Sequence, residues 1–262
     1  KALPENFEVC PPQSFVYDRV SPAFLSPFKG YHPEVMARRI AKFRLAKIKS
    51  KKPRLLVISR SPGLKKGYGI TFSSIYKEQV LQQYYEVHHL AWHYYEAPYT
   101  FEGVQIYPDN EQKQKDPDYL QHLLYALEPE VILLHADLHF FQPYLPVLQA
   151  WQGTIVGWFT IDYAQAHNPS PLLPVLQRCQ RVLGLADYGI EQMRKDYAGP
   201  IAKVPLGIDT RYFKPVDYAQ KIRLRQQWEV PEHGFIFLTV ANNFWRKGIE
   251  YAVQSFYEYC EK

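Results

Sequence analysis

Cysteine is scarce in this chain: Cys10, Cys179 and Cys260 are the three in 262 residues, far apart and odd in number. They suggest no disulfide framework, and they do not stand at the spacing of zinc ligands. A reducing, cytoplasmic setting is expected. Long apolar runs are missing as well. The richest, Val131 to Phe141, is interrupted by His135, Asp137 and His139, far short of the ~20 apolar residues that a membrane-spanning helix needs. Any membrane contact is therefore expected to be peripheral. There is no internal repeat and no low-complexity tract.

What the chain does have is an ordinary globular balance, 47% hydrophobic and 22% charged residues. Aromatics are abundant, at 16% with 21 tyrosines. Packing is the common use of such rings; a ligand groove or an interface is the other. The net charge of +5 is local. From Glu34 to Arg54 nine basic residues face Glu34 alone, so this stretch carries about +8 and the remainder about −3.

Residues 1–33 contain six of the 21 prolines, which read as an extended arm because proline removes backbone donors. Met36, Ile40 and Phe43 then recur at helical spacing, predicting a basic amphipathic helix over about 34–50. Its cationic face suits a protein partner or anionic lipid head groups, with nucleic acid the weakest of the three; a solvated helix face carries about equal weight.

From Arg54 onward, short apolar runs alternate with helical stretches, the pattern of a parallel sheet with crossover helices. Strands are expected at 55–59, 87–91, 104–107, 131–135, 155–160, 182–186 and 201–204. Helices are expected at about 70–84, 117–127, 140–150, 171–179, 188–197 and 218–228. The fold class is thus α/β: a Rossmann-like parallel sheet with helices on both faces over 51–204. A connection follows at 205–217, marked by Pro205, Gly207 and Pro215. Residues 218–262 then read as an incomplete second Rossmann-like domain, with a buried strand at Phe235–Ala241 and a helix carrying Ile249, Val253, Phe256 and Cys260.

Several residues in this frame could carry chemistry. Ser61 to Thr71 is a glycine-punctuated loop opening a helix, where backbone amides and the helix N-terminus suit a phosphate. It has neither full Gly-x-Gly-x-x-Gly spacing nor a Walker sequence. His135, Asp137 and His139 end the fourth expected strand, where the loops of an open parallel sheet meet ligands. A metal reading of that triplet lacks a fourth ligand, so no metal site is expected. Asp162, just after the strand ending at Thr160, would orient a hydroxyl or take its proton, or else cap the next turn. His167 follows within the same region, whereas His88, His89 and His93 read as surface or rim histidines. Near the end, Val204-Pro205-Leu206-Gly207-Ile208-Asp209-Thr210-Arg211-Tyr212-Phe213-Lys214-Pro215 leads to Asn242-Asn243-Phe244-Trp245-Arg246-Lys247-Gly248. Arg246 and Lys247 stand just before a helix, suited to neutralising a diphosphate.

Taken together, these segments resemble glycosyltransferase family 4, of the two-Rossmann-domain type, over about 54–262. The resemblance implies transfer of a hexose from a nucleoside-diphosphate sugar to an acceptor hydroxyl, with retention as in that family and with no cofactor. By its motifs Gly67 and Gly69, with Arg246 and Lys247, face the donor diphosphate. Tyr68, Thr71, His135 and His167 lie on the acceptor side, and Asp162 is the catalytic candidate. The family's acidic pair, seven residues apart deep in the second domain, is not matched: Glu250 and Glu258 have the spacing but come too early. The chain is expected to end soon after its second domain begins, which leaves a competing expectation of a non-catalytic binding or assembly module.

Overall fold

A computed structural model describes residues 52–65, 67–110, 115–161, 173–211 and 213–261. The expected arm and basic helix, with Asp162 and His167, lie outside the described residues; of Arg246 only the backbone is described. The chain divides after Gly207 into two units, Lys1–Gly207 and Ile208–Lys262.

In chain order the first unit contains β1 (Arg54–Arg60), α1 (Gly67–Lys77), α2 (Val80–Tyr84), β2 (Glu86–Trp92), β3 (Tyr99–Phe101), β4 (Val104–Pro108) and α3 (Pro117–Leu127). It continues with β5 (Val131–Asp137), a 3-10 turn (Leu138–Tyr144), α4 (Leu145–Ala150), β6 (Thr154–Thr160), α5 (Leu173–Arg178), β7 (Arg181–Gly184), α6 (Asp187–Arg194) and β8 (Ile201–Lys203). The strands form one sheet in the order β3-β4-β2-β1-β5-β6-β7-β8. All neighbours are parallel except β3 against β4. The expected α/β sheet is therefore present.

Alternation along each strand sends side chains to opposite faces, and both faces are covered. On one face Leu55, Val57 and Val87 pack with Phe72 and Tyr76 of α1. On the other, Leu56, Ile58, Leu90, Ile132 and Leu134 pack with Leu120, Leu123 and Leu127 of α3 and with Phe141 and Leu148. Leu55 to Ser59 is consequently buried without a break. Helix α3 starts where Asp116 accepts a hydrogen bond from the Asp118 amide (3.1 Å) and Pro117 takes the first turn, where its missing N–H is not needed.

Three local departures from the expected elements have visible causes. Strand β3 is new, a three-residue edge strand closed by Glu102 and Gly103, both at positive φ as a tight hairpin turn requires. The single helix expected over 70–84 is two, because Gln79 turns left-handed at φ 54; the Tyr76 carbonyl accepts from the Gln79 amide at 3.0 Å and from Gln82 Nε2 at 2.9 Å. The helix expected from 140 begins as a 3-10 turn, since Pro143 and Pro146 remove two of the amide donors a regular helix would use.

The second unit holds α7 (Tyr218–Gln227), a 3-10 turn (Trp245–Lys247) and α8 (Ile249–Cys260). Asp217 caps α7 by accepting from the Gln220 amide at 2.7 Å. The buried strand expected at Phe235–Ala241 is not formed. The segment is irregular and its side chains are exposed, Phe235 at 85%. A parallel strand needs a neighbour for its amides and carbonyls, and no strand is found among the described residues of this unit. Glu250 and Glu258 lie exposed on α8. Among the described residues no helix is long and apolar enough to cross a membrane.

Candidate functional site

The order of the strands locates the crevice. From β1 the chain moves to β2 on one side, and after β4 it returns through α3 to β5 on the other. Strands β1 and β5 therefore diverge at a topological switch point, where open parallel sheets take ligands at the carboxyl ends of the strands. The glycine loop and the start of α1 stand after β1; Asp137 ends β5 and Thr160 ends β6.

Tyr68, in the first turn of α1, reaches into this edge. Its hydroxyl lies 2.7 Å from Asp137 Oδ1 and 2.9 Å from Thr160 Oγ1. The one phenolic proton goes to the carboxylate, and the phenolic oxygen accepts from Thr160. Both Asp137 and Thr160 are partly accessible. This polar clamp joins residues 69 and 92 positions apart.

Beneath it lies His135, fully buried. Its ring stacks on Trp158 at 4.2 Å and meets the rings of Tyr68 and Phe72 edge-on. Nδ1 is 2.8 Å from the Trp158 carbonyl oxygen. A carbonyl only accepts, so Nδ1 carries the proton and Nε2 keeps a bare lone pair, which has no hydrogen-bond partner among the described residues. Burial pulls the imidazole down to about 4, with the Trp158 carbonyl acting weakly against it. His135 is thus a neutral acceptor at neutral pH rather than a cation.

The loop before α1 is tightly built. The Leu64 amide donates to the Ser61 carbonyl and Ser61 Oγ accepts from the Gly63 amide. Gly69 is buried against this turn, and a Cβ there would lie 2.4 Å from the Leu64 carbonyl oxygen and 2.5 Å from that of Ser61. Its lack of a side chain serves packing of the loop on the helix. Gly67 differs: it is exposed, at φ +33, with nothing near an added Cβ. Thr71 Oγ1 turns back to the Gly67 carbonyl at 3.4 Å.

The other face of the same edge is cationic and aromatic. The Lys115 ammonium lies over Phe140 (4.6 Å) and Trp92 (5.5 Å). Its amide donates to Asp109 Oδ1. Burial raises the Asp109 carboxyl to about 6, against the pull of the Asn110 and Lys115 amides. Arg60 ends β1 opposite Trp92 of β2.

Two histidines lie elsewhere than expected. His88 and His89 are buried rather than at the rim, because β2 is covered on both faces and alternate residues both point into protein. His89 Nδ1 is 2.8 Å from the Tyr76 hydroxyl, and burial lowers the ring to about 3. Asp137 stood in the strand-end triplet expected to face ligands; Thr160, Arg60 and Lys115 were not singled out as binding residues. Asp137 and Thr160 carried one signal, a polar residue closing an apolar strand. His139 is exposed on the 3-10 turn, and among the described residues no three metal-ligating side chains draw together.

In the second unit Lys247 is exposed in the 3-10 turn that runs into α8. Gly248, at φ +59, makes the left-handed step between turn and helix, and its amide donates to the Trp245 carbonyl. Arg246 and Lys247 thus stand directly before a helix N-terminus, as their spacing predicted.

No family model matches this sequence, and no curated protein matches it significantly. Among solved structures, a sucrose-phosphate synthase from Thermosynechococcus elongatus is similar at a TM-score of 0.42 and 10% identity, over 68% of this chain and 99% of that one. The fold assignment rests on the strand order above.

Proposed function

We propose that this chain is a glycosyltransferase that moves a hexose from a nucleoside-diphosphate sugar to an acceptor hydroxyl. The observation that carries the reading is the Tyr68 clamp at the switch point. A hydroxyl held between a carboxylate and a second hydroxyl, beside a buried neutral histidine, is the environment that an acceptor hydroxyl needs. On this reading the Tyr68 hydroxyl keeps the place that the acceptor hydroxyl takes. Asp137 orients the entering group, and Asp162, two residues past Thr160, supplies a further carboxylate on the acceptor side. His167 belongs to the same side.

For donor-diphosphate binding the reading takes Gly67 and Gly69 at the start of α1 in the first unit and, in the second unit by itself, Arg246 and Lys247 before α8. Free amides at a helix N-terminus and paired cations each favour a departing anion, and charge stabilisation of that leaving group is the main catalytic contribution. Gly69 takes part through its amide, since its carbon is packed against the turn.

Isothermal titration of nucleoside diphosphates and their hexose conjugates into the chain tests this. Saturable binding, weakened about tenfold in Arg246→Ala, supports the donor assignment. Absence of binding at millimolar nucleotide points instead to a binding or assembly module. That second reading has its own observation: Phe235, Val240 and Trp245 of the second unit are 85%, 85% and 92% exposed, an apolar surface of the kind partners cover.

A further inference from the structure

The cationic group on the far face of the crevice edge has no assignment in the reading above. Arg60 makes no hydrogen bond and no ion pair among the described residues, nor does the Lys115 ammonium, which rests on rings instead of a carboxylate. The two belong together. Arg60 is the register partner of Trp92, and alternation puts its side chain on the face of Leu56, Ile58 and Trp92, where Lys115 lies over the Trp92 ring. Lys115 is held there deliberately: its backbone is left-handed at φ 56, a costly conformation for lysine, and is fixed by its amide on the buried Asp109 carboxylate. Asp109 is itself tied down by the Asn110 amide at 2.9 Å and by its own amide on the Tyr94 carbonyl at 2.7 Å.

We propose that Arg60 and Lys115, over the floor formed by Trp92 and Phe140, bind the phosphate of a phosphorylated acceptor. Two buried carboxylates, Asp109 and Asp116, match the two cations in number, but Asp109 takes backbone amides and Asp116 takes the Asp118 amide and the Asn110 side chain, so both cationic side chains are left for an outside anion. A guanidinium and an ammonium on one face of the sheet edge suit a tetrahedral dianion, the first through paired N–H donors and the second as a point charge. An anion there would favour the charged form of Lys115, which burial disfavours, with Asp109 acting against that and Arg60 adding to it. The rings exclude water on one side, which strengthens the charged contacts.

This inference rests on the acceptor reading of the crevice and names the acceptor's class, a small polyhydroxylated molecule carrying a phosphate ester. Its test is calorimetric titration of the full chain with a hexose 6-phosphate, the matching hexose and the matching hexuronate at low ionic strength. The phosphate ester is expected to bind at least about tenfold more tightly than the hexose. Arg60→Gln and Lys115→Gln should each remove about tenfold of that preference while leaving hexose binding and nucleoside diphosphate binding unchanged. Lys115→Arg, which keeps the charge and the backbone strain, should retain most of it; near-ultraviolet circular dichroism verifies that each variant is folded. Equal affinity for phosphate ester and hexose, or a preference that survives both glutamine variants, overturns the proposal, and hexuronate binding as tightly as the phosphate ester reassigns the pocket to carboxylates. If these arms fail while nucleoside diphosphates still bind, only the phosphate inference falls; if nucleoside diphosphates fail to bind the wild type, the transferase reading falls.

Discussion

Removing one oxygen from Tyr68 probes the crevice most economically. In Tyr68→Phe the Asp137 carboxylate loses a 2.7 Å donor and Thr160 loses a 2.9 Å acceptor. A hydrogen bond to a charged group contributes about 1.5–3 kcal/mol and a neutral one about 0.5–1.5 kcal/mol. The clamp is only half-buried, so water recovers part of each, and the expected loss is about 1–2 kcal/mol. For a unit of this size that corresponds to a fall in Tm of roughly 2–8 °C. Urea unfolding followed by tryptophan emission, with Trp158 stacked beneath the clamp on His135, reads the change. A double-mutant cycle with Asp137→Asn should show a coupling of about 1 kcal/mol, since the two groups share one hydrogen bond. The same energy returns with opposite sign in ligand binding: with the phenol gone, a hydroxyl ligand meets an open carboxylate and should bind about five- to thirtyfold more tightly. Strictly additive mutants, or a ligand affinity that falls in Tyr68→Phe, would refute the claim that this hydroxyl keeps an acceptor's place.

Two further outcomes follow from the same geometry. His135 is lowered to about 4 in the folded protein against about 6.5 unfolded. Its contribution is therefore fully present above about pH 6.5 and is lost as pH falls towards 4, at up to about 1.4 kcal/mol per pH unit. His89, lowered to about 3, acts in the same direction. Asp109, raised to about 6, opposes one of them: its contribution is present at low pH and lost as pH rises from about 4 to 6. Stability should rise with pH between about 4.5 and 6.5, and His135→Gln should flatten that slope by about one proton; an unchanged slope in chemical denaturation at several pH values would contradict the burial argument. The two loop glycines should respond unequally. Gly69→Ala drives a carbon into the Leu64 and Ser61 carbonyl oxygens, which are backbone and cannot swing away, so a loss above about 2 kcal/mol is expected. Gly67→Ala meets open space and pays only for its positive φ, about 1 kcal/mol. Equal effects in thermal unfolding would show that the loop is not packed as described.

Much of the sheet was legible because burial on both faces leaves a continuous apolar run, as in Val131 to Leu134, that no exposed helix needs. What escaped was set by tertiary contacts. Gln79 breaks a helix without glycine or proline because the chain must turn back into β2, and Tyr99–Phe101 is too short to show a period. The Phe235–Ala241 segment shows the converse limit: composition advertises a strand, but pairing needs a neighbour. His88 and His89 looked like rim residues because histidine is usually exposed, and only coverage of both faces of β2 puts them inside. The site was legible in part. The glycine loop and the strand-end polar residues announced a ligand edge, whereas the pairing of Tyr68 with Asp137 and Thr160 spans 69 and 92 residues and leaves no local trace. Gly69 was visible as a glycine whose use, packing against two carbonyls, depends on contacts that no spacing encodes.

On the proposed function, the edge after β1 receives the diphosphate and the acceptor of a hexosyl transfer. Titrating a nucleoside diphosphate into isotopically labelled protein and following the backbone amides of Gly67, Tyr68 and Gly69 by nuclear magnetic resonance tests it most directly. Saturable shifts at these three amides, with Tyr68→Phe leaving nucleotide affinity within about twofold, are the result predicted. Amides of the loop that stay still at millimolar nucleotide, while the rest of the spectrum shows a folded protein, would contradict it.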